Sequence, residues 1–218
     1  MKTLYILFAL LIIGSCNFLK SQTNLIASYN FNSGSAMDNS GNNYTGSFYG
    51  GSAAVDTLTI GYNTSDYFSV PSQVLNSRVQ FSIVFKIKFT SFNTAGLYPT
   101  NTIFSSDNNS STGIFAFSYQ KDINSWRFGN GVTAFDFSDN SIIIGKWYCV
   151  TLTRDNIGSM KLYVDGVQNA TVNSYATAIN ITSFIVGQET DCFAGCFAVN
   201  QSGNEKFDDI RFYDNALT

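Results

Sequence analysis

Histidine is absent from the 218 residues. That excludes Ser-His-Asp and Cys-His nucleophile systems and nearly every zinc site, all of which need imidazole. Glutamate is almost missing as well, with Glu189 and Glu205 the two copies. Charged residues are 12% of the chain, and 12 Lys and Arg stand against 15 Asp and Glu, a net charge of −3. No basic face for nucleic acid can be built from that balance. Proline occurs twice, no repeat is visible, and aromatics reach 16%. An aromatic-rich, charge-poor chain is not a disordered one. This length supports one β-rich domain.

The longest apolar run is Leu4–Gly14, after Met1-Lys2-Thr3 and before Ser21-Gln22. It is too short to cross a bilayer, which takes about 20 residues. A basic start, a short apolar stretch and small residues describe a secretory signal peptide over 1–21, with no transmembrane segment. Two processing routes stand open. Cleavage near Ser21-Gln22 releases a soluble chain, and Ile13-Gly14-Ser15-Cys16 resembles a lipobox that would put a lipid anchor on Cys16. Either route gives a secreted or cell-surface protein, with 22–218 as its single domain.

Export bears on the cysteines. Cys149, Cys192 and Cys196 follow the leader. Cys192 and Cys196 are expected to close a small disulfide loop in an oxidising compartment, leaving Cys149 free; the other reading is that all three are buried or idle thiols.

What the chain has in abundance is period-two alternation. Phe81, Ile83, Phe85, Ile87 and Phe89 alternate with more polar positions, which predicts a strand with one buried face. Phe115, Phe117 and Tyr119 predict another. Residues 147–172 read as a three-stranded meander, because Asp165-Gly166 between β-prone runs is a strong hairpin signal. No helical spacing stands out. The stretches 32–43, 105–113 and 187–206 are polar and expected as surface loops. The fold class is all-β, a sandwich or barrel of antiparallel strands.

Several landmarks occur in order: Leu25–Phe31, Asp38-Asn39-Ser40-Gly41-Asn42, Phe81–Lys88, Trp147–Thr151, Lys161–Gly166 and Phe207–Leu217. Together they resemble the laminin-G-like jelly-roll domain of the concanavalin A-like lectin/glucanase superfamily. The resemblance implies a two-sheet antiparallel β-sandwich with jelly-roll topology. The superfamily includes glucanases, whose carboxylates come from a Glu-x-Asp-x-Glu strand. This chain has no such run, and Asp136 and Asp139 differ in strand parity, so enzymatic activity is not expected.

Asp208 shares parity with Ile210 and Phe212, and so points inward on the sequence pattern. A buried carboxylate needs a partner. In the resembled fold the first and last strands are neighbours, which would bring the Asp38 loop close. Two readings stand. Asp38 and Asp208 hold a structural Ca²⁺, which takes 6–8 oxygens. Alternatively, Asp38 orders its own turn and offers backbone N–H groups to Asp208. For ligand contact the loop candidates are Tyr98, Trp126, Gln188, Asp191 and Phe193, since sugar recognition wants aromatic faces with amides and acids. Trp126 has a second reading as core with Arg127 pointing out. The expected function is a non-catalytic binding module for glycan. An adhesion module binding a cell-surface protein, as part of a larger surface protein, is the rival, ahead of a cryptic hydrolase.

Overall fold

The computed structural model describes residues 24–50, 53–62, 65–94, 99–108, 114–129, 133–173, 176–191, 196–197 and 201–217. Its strands, in chain order, are β1 (Leu25–Tyr29), β2 (Ser47–Tyr49), β3 (Ala53–Ala54), β4 (Leu58–Ile60) and β5 (Tyr67–Ser69). They continue with β6 (Phe81–Ser91), β7 (Asn101–Asp107), β8 (Ala116–Gln120), β9 (Ser125–Gly129) and β10 (Ala134–Ser138). The last are β11 (Trp147–Arg154), β12 (Ser159–Val164), β13 (Val167–Asn173), β14 (Ser183–Val186) and β15 (Asn204–Tyr213). Helix among the described residues is limited to two 3-10 turns, Asn32–Gly34 and Ser72–Val74.

The first sheet runs β13-β12-β11-β6-β15-β4-β3, with β1 also paired to β15. The second runs β10-β9-β8-β7-β14-β5-β2. All pairings are antiparallel. The two form the jelly-roll sandwich, and the alternation expected from the sequence supplies its core. Phe81, Ile83, Phe85, Ile87 and Phe89 are fully buried. Phe85 meets Phe104 edge-on across the sandwich at 5.0 Å, the geometry that ring quadrupoles favour. The meander over 147–172 forms as β11, β12 and β13, and Asp165 (φ 50°) and Gly166 (φ 79°) make its last turn. Two central residues at positive φ mark the turn whose twist matches a hairpin.

Two expectations about loops change. Residues 105–107 complete β7, and 204–206 open β15. The thiol count changes too. Cys149 and Cys196 are each disulfide-bonded, so Cys149 is not the free thiol expected. Cys192, the other half of the expected loop bridge, lies outside the described residues, as does Cys16.

Candidate functional site

The outer face of the second sheet carries polar and aromatic groups that the core does not use. Phe48 and Phe68 oppose one another across β2 and β5 and pack against the core, so Tyr49 and Tyr67, one residue along, face outward. The outward row continues through Ser69, Ile185 and Ser105. The described parts of 187–203 lie against it. Thr190 N–H donates to Ser105 Oγ at 3.2 Å, and the two hydroxyls lie 3.1 Å apart. The Gln201 carbonyl accepts from Thr102 N–H and from Thr100 Oγ1, each at 3.3 Å. This cover buries Thr102, Ser105, Gln188 and Thr190, all outside the apolar core.

At the edge of the cover stands an aromatic stack. The Tyr49 and Tyr67 rings are 4.5 Å apart and nearly parallel, at 9°. Phe197 lies 4.9 Å from Tyr67. Burial, and then Tyr49 beside it, pushes the Tyr67 phenol up. Asp191 is joined to the same turn, its N–H donating to the Cys196 carbonyl at 2.9 Å and its carboxylate accepting from Gln201 Nε2 at 3.3 Å. Burial, and then the charge of Asp191, raises the Glu189 carboxyl to about 7.

Of the ligand residues expected from the sequence, Asp191 belongs to this face and is exposed. Gln188 lies beneath the surface, fully buried, with its amide oxygen turned back to Glu189 N–H at 3.0 Å. Trp126 is not a loop residue. It sits in β9, fully buried, stacked on Phe117 at 5.6 Å with its indole N–H donated to Asp139. Arg127 points out and makes a two-point ion pair with Asp136, as the alternative reading had it. Tyr98 and Phe193 lie outside the described residues. Sequence reading missed Tyr49, Tyr67 and Phe197, because two strands of three residues show too little alternation to reveal a face. Glu189-Thr190-Asp191 carried a readable signal, two acids at strand spacing.

The Asp38 and Asp208 carboxylates have separate partners. Asp38 accepts from Ser28 N–H (2.9 Å), Ser40 N–H (2.8 Å), Ser40 Oγ (2.8 Å) and Tyr44 N–H (3.0 Å). Burial pushes its carboxyl up, but these donors outweigh it and hold the group below its ordinary value. Asp208 does not point inward. A bulge between Asp208 and Arg211, with Asp209 at φ 55°, breaks the period-two count. Asp208 therefore stands opposite Lys86 on the outer face of the first sheet and pairs with it at 3.3 Å. Asp209 takes Arg211, with bonds of 2.8 and 2.9 Å. Four donors thus hold the Asp38 carboxylate and the Lys86 ammonium holds that of Asp208, each apart from the other. No group of three or more His, Cys, Asp or Glu is placed to hold a metal among the described residues.

Two stacked antiparallel sheets with a decorated outer face define the lectin-like jelly-roll class. The chain belongs to the concanavalin A-like lectin/glucanases superfamily, for the Laminin_G_3 family model matches residues 62–218. No curated protein sequence matches it. Among solved structures it is similar to domain 4 of AbnA, a GH43 extracellular arabinanase from Geobacillus stearothermophilus, in complex with arabinotriose. The identity there is 20% and the TM-score 0.67, over 89% of this chain and 94% of that one. It is similar to the binding domain of botulinum neurotoxin DC in complex with SialylT, with 19% identity and TM-score 0.66, over 90% of this chain and 49% of that one. It is also similar to Trypanosoma rangeli sialidase in complex with sialic acid, with 16% identity and TM-score 0.64, over 89% of this chain and 31% of that one. At these identities the likeness is one of fold.

Proposed function

We propose that this chain is an exported, non-catalytic module that binds glycan. The observation that carries the reading is the Tyr49–Tyr67 stack, with Phe197 tilted against Tyr67, beside Asp191 and Gln201 on one outer face. Rings that pack no core, next to acid and amide groups, are what a sugar needs: an apolar face for its C–H groups and acceptors for its hydroxyls. Similar folds solved with arabinotriose and with SialylT support the choice of ligand class. The leader over 1–21 supports export. The test is a glycan array of the chain without its leader, run with Ca²⁺ and with chelator. Binding to one glycan class, unchanged by chelator, is the expected result. A blank array from folded protein would overturn the reading in favour of an adhesion module.

A further inference from the structure

The outer face of the first sheet answers its charges unevenly. Asp208 stands directly opposite Lys86 across β15 and β6, and the two pair at 3.3 Å. Two residues along the same strands, Lys206 stands directly opposite Lys88. The row runs Thr59, Lys206, Lys88, Trp147 through β4, β15, β6 and β11. Side chains so placed start about 5 Å apart, and like charges directly opposite one another destabilise a sheet. Neither ammonium has a carboxylate partner among the described residues. No other acid can answer them, because all 15 Asp and Glu residues are described. Both lysines are half-buried, so water solvates them only in part. The contact that Lys88 does make is with a ring, its ammonium lying 5.0 Å from the centre of Trp147. A ring holds an ammonium through its quadrupole and leaves the N–H donors unspent.

We infer that Lys88 and Lys206 form a site for one carboxylate or sulfate group of an acidic polysaccharide, with Trp147 positioning Lys88. The anion follows from the opposed lysines, and the sugar that bears it rests on the glycan-binding reading above. Each ammonium offers three donors, and two ammoniums rooted on neighbouring strands can converge on one anionic group. Binding would replace their mutual repulsion with charge-assisted hydrogen bonds. Two lysines are too few for a nucleic acid backbone or an anionic membrane, and a net charge of −3 opposes either. A single acid group on a sugar ring asks for no more. The site lies on the sheet that does not carry the Tyr49–Tyr67 stack, so either can be removed without the other.

The experiment titrates the chain without its leader by calorimetry with polygalacturonate, with dextran sulfate and with uncharged dextran. At least one acidic polymer should bind more tightly than dextran, and added salt should weaken it. Lys206→Gln keeps a polar stem and removes the charge. It should weaken the acidic polymer by about tenfold, the loss of one charge-assisted hydrogen bond. Without ligand the same variant should melt no lower than the parent, because the repulsion is relieved, which separates lost binding from lost folding. Lys88→Gln should behave alike. Trp147→Leu should also weaken binding, and Trp147→Phe, which returns a ring under Lys88, should recover most of it. Lys161→Gln is the control. It lies on the same face opposite Thr153, about 20 Å along β11 from Trp147, and should bind like the parent. The proposal is overturned if Lys206→Gln binds the acidic polymers like the parent, or if Lys161→Gln weakens them as much. It is also overturned if the parent binds only uncharged glycans, in which case the glycan-binding reading stands. A parent that binds no glycan of either kind defeats both.

Discussion

The Trp126 indole N–H and the Asp139 carboxylate meet at 3.0 Å inside the second sheet, tying β9 to the residue just after β10. Asp139 also accepts from Ser141 N–H at 2.9 Å and from its hydroxyl at 2.6 Å, while its own carbonyl receives the Tyr119 hydroxyl at 3.0 Å. One acid thus satisfies three donors at a place closed to water. Asp139→Ala leaves the indole N–H buried and unpaired, which costs about 2 kcal/mol and lowers the melting temperature by roughly 4–8 °C. Calorimetry of the variant checks this. A shift under one degree would mean that the network adds nothing.

Glu205 supplies the pH dependence on the neutral side. It is fully buried, on the inward face opposite Phe89 and Ile60, and neither carboxylate oxygen has a hydrogen-bond partner among the described residues. A methyl group placed on Gly203 would collide with this carboxylate and with the Asn101 amide oxygen, so the three crowd one spot. Burial raises the carboxyl well above its ordinary 4.5, and the Gly203 N–H, short of hydrogen-bond geometry, offsets only part of the rise. The folded chain therefore keeps a proton that the unfolded chain loses from about pH 4.5 upward. Its contribution is full below that pH and declines as pH rises towards the folded value. Glu205→Gln carries no such proton. Its urea midpoint should gain on the parent as pH climbs from 4.5 to 8, and a gap that stays constant would refute the assignment.

Asp38 acts in the opposite direction. Its carboxyl is held below its ordinary 3.8, so its contribution is present above that pH and is lost as pH falls through the lowered value. Asp38→Ala should destabilise the chain by about 1–3 kcal/mol at pH 7, because its donors lose a shared acceptor. The deficit should shrink below pH 3. Denaturant titrations at pH 2.5 and pH 7 measure both.

Lys86 and Asp208 set a test for calcium. Their ion pair is half-exposed at the surface, and such pairs are worth up to about 1 kcal/mol. Asp208→Asn should leave the melting temperature within about 4 °C of the parent. Millimolar Ca²⁺ should not raise the melting temperature of either form. A calcium-dependent rise in the parent that Asp208→Asn abolishes would restore the metal reading.

The long elements were legible in the sequence because they are long. Five alternating apolar residues define the buried face of β6 without ambiguity, and Asp165-Gly166 names its own turn. Asp208 was misread for one local reason. A bulge adds a residue between Asp208 and Arg211, and every face assigned by counting back from Phe212 reverses beyond it. Trp126 was drawn towards the surface by its polar surroundings, whereas its strand neighbour Arg127 is the residue that faces out. Tyr49 and Tyr67 could not be placed from the sequence, since their partnership exists through the pairing of two distant three-residue strands.

The position of β15 sets the order in which the molecule can be completed. It lies between β6 and β4 and also carries β1, so it joins segments from near both ends of the described chain. Until residues 204–213 arrive, β1 and β4 have no bed and the first sheet stops at β6. The first sheet therefore closes through contacts of very high sequence separation, which make it slower to form than a sheet of local hairpins.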